Sequence, residues 1–256
     1  MFSAGEHKAI TERDEALAEL DRARAGVTVC ITYHDEPAEM ISNAINSVFA
    51  QTVIPYEILV IDDGSTKPFS APFGGDYLRV IRVTNRGLPA ARNAGLMLAR
   101  AAAFLPLDAD DWLDPTYIEK TLPLLADADV VLTGLQEHGE TRFQSYMPGF
   151  DRPYDQVDEA ILWQYNRLFY CSLFRTSLLR EIGGYNPRMA GWPGVVSGGY
   201  EDWDVWLDLK RRGGVRFAAV QEALFNYRTK SEGSMLAAAE QNRDVLVAEM
   251  RRHHRC

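Results

Sequence analysis

AFLPLDADDWLDP, residues 103–115, opens as an unbroken apolar run and closes on carboxylates. A short apolar run bounded by polar residues is the pattern of a strand buried on both faces, and here Asp108, Ala109, Asp110 and Asp111 follow it at once. The same build recurs upstream. VTVCI (27–31) leads into Thr32, Tyr33, His34 and Asp35, and EILVI (57–61) leads into Asp62, Asp63, Gly64 and Ser65. YLRVIRV (77–83) and DVVLTGL (129–135) are two more strand candidates, and helical patterns near 37–50, 88–102 and 115–126 separate the runs. Strands alternating with helices in this way predict an α/β fold with a mainly parallel, doubly wound sheet covered by helices on both faces.

Outward from this unit, residues 1–26 read as an N-terminal helical appendage, because 6–24 are rich in Ala, Glu, Arg and Leu and end at Gly26. Residues 27–135 form the regular half. Over 136–232 the order is less regular, with turn residues and aromatics before a helix at Glu201 to Arg212. Residues 233–256 read as a C-terminal helix whose last turn, RRHHRC, frays. The two terminal helices are candidate surfaces for a homo-oligomer.

Composition narrows the partners. Twenty-seven basic against 36 acidic side chains leave a formal charge of -9, which disfavours a broad electrostatic grip on nucleic acid or anionic membrane. The start, MFSAGEHKAITERDE, lacks the basic and apolar regions of a signal peptide, and a cytoplasmic location is expected. Cys30, Cys171 and Cys256 are too scattered for a disulfide framework or a paired metal site, and Cys30, inside an apolar run, reads as a small buried hydrophobe. His253 and His254, in a terminal basic stretch, read as solvated, and Trp206, at helical spacing from Trp203, reads as core.

In an open parallel sheet ligands gather beyond the carboxyl ends of the strands. Three polar clusters converge on that edge. One such cluster only caps a helix as readily as it binds a ligand. Three together, with Asp108 and Asp110 repelling each other, call for a divalent cation with oxygen ligands, Mg²⁺ or Mn²⁺, which would also bridge to phosphate oxygens. NRGLPAARNAG (85–95) adds a glycine turn into a helix with Arg86 and Arg92 beside it, a suitable place for an anion.

The ordered series VTVCITYHDEP, INSVFAQT, EILVIDDGST, NRGLPAARNAG, FLPLDADDWLDP and GGYEDWDVWLDL resembles the inverting family 2 glycosyltransferases of GT-A fold, over about residues 27–230. The resemblance implies a Rossmann-like GT-A sheet and metal-assisted transfer, with inversion, of a sugar from a nucleotide diphosphate to an acceptor hydroxyl. A UDP-sugar is the first candidate donor. It implies Thr32 and Tyr33 near the base, Asp63 bonding base or ribose, Arg92 near the donor, and Asp108 near ribose or sugar. It makes Asp110 the metal ligand and Asp202 the general base, with Glu201 beside it in the late acidic motif facing the acceptor. Lys230 stands where many relatives carry a histidine. A protonated lysine has no lone pair for a metal, so its expected role is direct pairing with the diphosphate. Trp192, in the glycine-rich AGWPGVVSGG, is a candidate for stacking on the acceptor. The rival reading is a non-catalytic protein of the same fold that binds a nucleotide sugar or a partner. Against it stand the intact Asp63, Asp108, Asp110 and Asp202, since a binding module needs no base. A dehalogenase-type phosphatase would carry its aspartate pair after the first strand, and a nucleotidyltransferase would carry a basic, glycine-rich loop there. Neither pattern is present.

Overall fold

The computed structural model describes residues 25–71, 75–139, 143–146, 159–164, 166, 168–191, 199–229 and 239–254. The helix expected over 6–24, Trp192 and Lys230 lie outside them. Strands β1 (Val27–Tyr33), β2 (Glu57–Asp63), β3 (Leu78–Val83) and β4 (Ala103–Asp108) lie in the order β3-β2-β1-β4, all parallel. Helix α1 (Ala38–Phe49) connects β1 to β2, and α2 (Leu88–Leu98) returns the chain from β3 across β1 to β4. Successive connections therefore leave β1 in opposite directions, which opens a crevice between the carboxyl ends of β1 and β4. Register places Thr32 beside Asp108 on that edge.

Both β1 and β2 are buried along their whole length. Alternation divides their side chains between two cores: Cys30, Leu59 and Ile61 join one with Leu96 of α2, and Val29, Ile31, Ile58 and Val60 join the other with Ile41 and Ile45 of α1. Each such side chain contributes roughly 1.5–3 kcal/mol on leaving water. Contact between α2 and β1 is close enough that a Cβ at Gly95 would sit 2.1 Å from Cys30 Sγ. Cys30 is thus the small buried hydrophobe the sequence suggested, its thiol pushed up to about 12 by burial.

The second half completes the same sheet. Strands β5 (Trp112–Leu113), β6 (Val130–His138), β7 (Phe143–Tyr146), β8 (Leu173–Arg175) and β9 (Phe217–Arg228) extend it to β3-β2-β1-β4-β8-β6-β9-β5, with β7 on β6. β8 runs antiparallel to both β4 and β6, and β9 parallel to β6. The sheet is therefore mainly parallel but mixed beyond β4. The strand expected at 129–135 continues to His138 because β9 pairs with it to that point. Near 115–126 the expected helix breaks into α3 (Tyr117–Thr121) and a 3-10 turn at Leu122–Ala126, consistent with Pro123, whose ring opposes a continuing α-helix. Past Leu98 the α2 pattern stops as Ala99 turns extended. Among the described residues four further helices, α4 (Glu159–Leu162), α5 (Thr176–Glu181), α6 (Glu201–Arg212) and α7 (Arg243–His253), belong to this half. Trp206 of α6 is core, stacked on Phe174 at 5.2 Å.

His254 is not solvated: it is 6% exposed, its Nε2 2.9 Å from Asp204 Oδ1, because α7 lays its last turn against α6.

Asp129 ties three strands together at the far edge. Its carboxylate accepts from Arg216 Nε and backbone N and from Arg175 Nε, while its backbone bonds both arginines' main chains. Hydrogen bonds and charge from Arg216 lower its carboxyl to about 2. Because the folded value lies below the unfolded one, the stabilisation is complete above about pH 4 and is lost as pH falls through about 2. Asp129→Asn should cost about 1–2 kcal/mol at pH 7, screening at the exposed arginines included, and clearly less at pH 3. Urea unfolding at the two pH values measures the difference.

Candidate active site

The crevice holds a cleft of about 420 Å³, lined by Thr32, Tyr33, Asp63, Arg92, Asp108, Asp110, Glu201 and Asp202 among others. All the site residues expected from sequence that fall within the described residues thus meet in one place. The floor is built on Arg92, 1% exposed. Its Nη2 donates to Asp108 Oδ1 and Oδ2 at 2.8 and 3.0 Å, and its Nη1 to Glu201 Oε1 at 2.5 Å. Its guanidinium lies 4.5 Å from the centre of the Tyr170 ring and 5.4 Å from that of Tyr185. Arg92 thus faces the two carboxylates that frame the cleft, and Glu201 is buried as its partner. Thr32 Oγ1 donates to the same Asp108 Oδ1 at 2.9 Å.

The strand-end loops hold one another. Asp62 accepts from Ser65 N, Phe69 N and Arg82 Nη1, which folds the DDGS turn onto itself. Asp63 accepts from Arg86 N at 3.0 Å and Gly87 N at 2.9 Å, so it anchors the entry to α2 while still lining the cleft. Gly87 takes a φ of +84°, and a Cβ there would meet Ala190 Cβ at 2.6 Å, so only glycine permits this turn. Asp35, with φ of +61°, accepts from both N and Oγ1 of Thr66, tying the β1 loop to the β2 loop.

Several functional residues were not legible in the sequence. Asp111, the third carboxylate of DADD, points away from the cleft into the protein, where it accepts from Tyr170 Oη at 2.6 Å and Arg228 N at 2.8 Å. Burial, then the charges of Asp110 and Asp108, raise its carboxyl well above the usual range. Tyr170 Oη also accepts from Asp108 N, so one phenol holds both ends of the motif. Arg228 donates from Nε to the Asp110 carbonyl and brings a cation to the cleft wall. Glu36 lines the cleft too, its carboxyl raised by burial first and then in part by Asp110 and Asp108. The acidic YHDEP loop was the available signal for Glu36. Tyr170 and Arg228 lie far along the chain with no local pattern to mark them.

Asp202 stands half-buried at the second position of α6. Tyr200 just before it has a φ of +62°, an uncommon backbone for a bulky residue. This turn delivers Glu201 and Asp202 together onto the cleft. Asp202 Oδ2 accepts from Asn166 Nδ2 at 2.8 Å, and burial, then the charge of Glu201, push its carboxyl up to about 7. A second cavity of about 840 Å³ adjoins the first and shares Asn166, Tyr170, Tyr200, Asp202 and Tyr227 with it. Asp202 is therefore common to two compartments.

Asp108, Asp110 and Glu36 all line the cleft and offer hard oxygen donors, and burial first, then the charges of Asp110 and Asp108, raises Glu36. That donor set suits Mg²⁺ or Mn²⁺ and would suit a softer ion poorly.

A parallel sheet split at a switch point, with an acidic D-x-D edge and a late acidic helix start across the crevice, defines a GT-A-type glycosyltransferase. The glycosyl transferase family 2 model matches residues 28–183, well over half the chain, and the chain belongs to that family. It is 29% identical over 187 residues to an uncharacterized glycosyltransferase, YwdF, of Bacillus subtilis, covering 70% of this chain and 65% of that protein. Over 104 residues it is 36% identical to the succinoglycan biosynthesis protein ExoW of Rhizobium meliloti, 37% of this chain and 32% of that one. Among solved structures it resembles S. aureus TarS 1-349 in complex with UDP-GlcNAc, with a TM-score of 0.63 at 18% identity over 88% of this chain and 66% of that one. The chain spans less than two thirds of the length of these relatives. Among the described residues no helix is long and apolar enough to cross a membrane.

Removing Arg92 would leave Asp108 and Glu201 facing each other without their common cation. Arg92→Met should cost about 3–5 kcal/mol, and Arg92→Lys should recover less than half of that, since one ammonium cannot match two carboxylates in a planar fork. Equilibrium urea unfolding of the two variants against the native chain checks both values.

Proposed function

We propose that this glycosyltransferase moves a sugar from a nucleoside diphosphate to an acceptor hydroxyl with inversion, and that Asp202 is the general base. The observation that carries the reading is the position of Asp202 on the wall between the cleft and the second cavity. A base must touch the acceptor hydroxyl while the anomeric carbon waits on its other side, and a residue common to two compartments meets that demand.

In this reading the donor occupies the cleft at the β1 and β4 ends. Thr32 and Tyr33 lie by the base, Asp63 by base or ribose, and Asp108 by ribose or sugar. Arg92 acts on the donor indirectly, by fixing the orientation of Asp108. Asp110, helped by Asp108, would hold Mn²⁺ or Mg²⁺, which when bound supplies the positive charge that offsets the diphosphate leaving group. Arg228 adds a fixed cation on the same wall. Lys230, two residues further on, pairs with the diphosphate. UDP is the first candidate nucleotide, supported by the resemblance to a protein solved with UDP-GlcNAc. The acceptor enters the second cavity, and Trp192 is a candidate to stack on it. Glu201 serves the acceptor through Arg92 and the helix start and makes no direct contact.

The hydroxyl proton passes to Asp202 as the acceptor oxygen bonds to the anomeric carbon and the bond to the diphosphate breaks. A single displacement inverts the anomeric centre. A carboxyl near 7 is a better proton acceptor than an ordinary aspartate and is still ionised in useful amount at neutral pH.

Two outcomes test this. Asp110→Ala should abolish the Mn²⁺-stimulated part of donor binding, measured by calorimetry with UDP-sugars. Wild-type affinity in Mn²⁺, with no loss on adding chelator, would remove Asp110 from the metal site.

Asp202→Asn should lower turnover by about a hundredfold or more while leaving donor affinity intact. Native turnover should rise as pH increases through about 7 and then level, because the ionised carboxylate is the active form; the asparagine variant should show no such rise. Retained configuration in the product by NMR, or near-native turnover of the variant, would exclude the mechanism.

A further inference from the structure

We infer that the contact between α6 and α7 is a second metal site, formed by Asp204, Asp208, His253 and His254, for a borderline transition ion of the Zn²⁺ type. Asp204 and Asp208 are four apart on α6 and so share one face, while His253 and His254 end α7 opposite them. One potential ligand atom from each residue lies within 4.8 Å of all the others. His254 Nε2 is 2.9 Å from Asp204 Oδ1 and its Nδ1 3.3 Å from Asp208 Oδ1, while His253 Nε2 is 3.5 Å from Asp208 Oδ2 and 4.0 Å from Asp204 Oδ2. A tetrahedral ion with bonds of about 2.0–2.1 Å needs its ligands roughly 3.3 Å apart. These contacts use both nitrogens of His254 and both oxygens of each aspartate, so the His254 ring and the two carboxylates would have to turn to present one atom each to a single ion.

A second, independent observation points to a ligand. Asp204 is 1% exposed, yet its Oδ2 makes no hydrogen bond among the described residues, and that oxygen faces His253 across the cluster. A buried carboxylate oxygen without a donor is destabilising, and a bound cation would relieve it. Two imidazoles and two carboxylates are the donor set of Zn²⁺ and its neighbours, whereas Mg²⁺ and Ca²⁺ prefer oxygen alone. His254 can ligate through one nitrogen while the other donates to a carboxylate, which orients the ring. The cluster is separate from the D-x-D wall: neither histidine, Asp204 nor Asp208 lines either cavity.

Such an ion would join the two helices two residues after Asp202. Arg243 and Arg251 of α7 line the second cavity, so the same ion would also set that cavity's outer wall. Its role is structural, since all four positions of a tetrahedral ion are filled by protein.

The test uses the full chain carrying Asp110→Asn, which disables the proposed donor-side metal, stripped with chelator and titrated with Zn²⁺ and separately with Co²⁺. One equivalent of Zn²⁺ should bind and, at a hundredfold excess over Kd, raise Tm by roughly 5–10 °C. Co²⁺ should give the strong visible bands of a four-coordinate ion. Adding Asp208→Asn and His253→Gln, both at partly exposed positions, should abolish the bands and the Tm gain while leaving a folded protein by circular dichroism. The inference is overturned if Zn²⁺ gives no saturable stabilisation, if the cobalt spectrum is six-coordinate, or if both signals survive in the Asp208→Asn, His253→Gln chain. If that chain does not fold, His253→Gln alone decides, with loss of the bands expected and their full retention fatal to the site.

Discussion

One buried guanidinium organises this enzyme. Arg92 arises from a helix on the first half of the chain and bonds Asp108 at the end of β4 and Glu201 at the start of α6, residues 109 positions apart in its longest link. Burying a cation is costly unless it is paired, and here two carboxylates accept from both Nη groups and two aromatic rings lie against the guanidinium, while Nε makes no hydrogen bond among the described residues. The pairing has a geometric result. The acidic wall of the cleft and the helix that carries Asp202 are held in register, although among the described residues the sheet brings no direct strand pairing between them.

Around that link the acidic residues divide their tasks. Asp62 and Asp111 are turned inward and satisfied by backbone and phenol donors, so they shape loops. Asp63 does both, since its oxygens hold the entry to α2 and also line the cleft. Asp108, Asp110, Glu36 and Asp202 line the cleft, and the charges of Asp110 and Asp108 add to burial in raising Glu36, so this wall favours a cation and would repel a bare diphosphate. The left-handed backbone at Tyr200 belongs to the same design: it is an unfavourable turn that the surrounding packing of Tyr200 and Trp203 sustains, and it aims Asp202 at the boundary of two cavities.

Sequence reading succeeded where a feature was local. The apolar runs that became β1, β2 and β4 were legible because a strand buried on both faces has no polar alternation to dilute it. Helix α6 was read to the residue, since EDWDVWLDLKRR carries acids at its start, bases at its end and a glycine after it. By contrast β9 passed unnoticed: FAAVQEALFNYR is only partly buried and lacks both a continuous apolar run and clean alternation. His254 was misread because two adjacent histidines in a basic tail look solvated until α7 is laid on α6.

By itself, then, the sequence determined the parallel half-sheet, its polar carboxyl-end edge, the family and, Glu36 apart, the carboxylates that reach the cleft, because each depends on a few neighbouring residues and on strand polarity. Only the tertiary structure decided what those carboxylates face. Arg92 with Glu201, Tyr170 with Asp111, Asn166 with Asp202 and His254 with Asp204 are separated by 36 to 109 residues. Such pairs are chosen by the packing of whole elements, and nothing in the local pattern of either partner records the other.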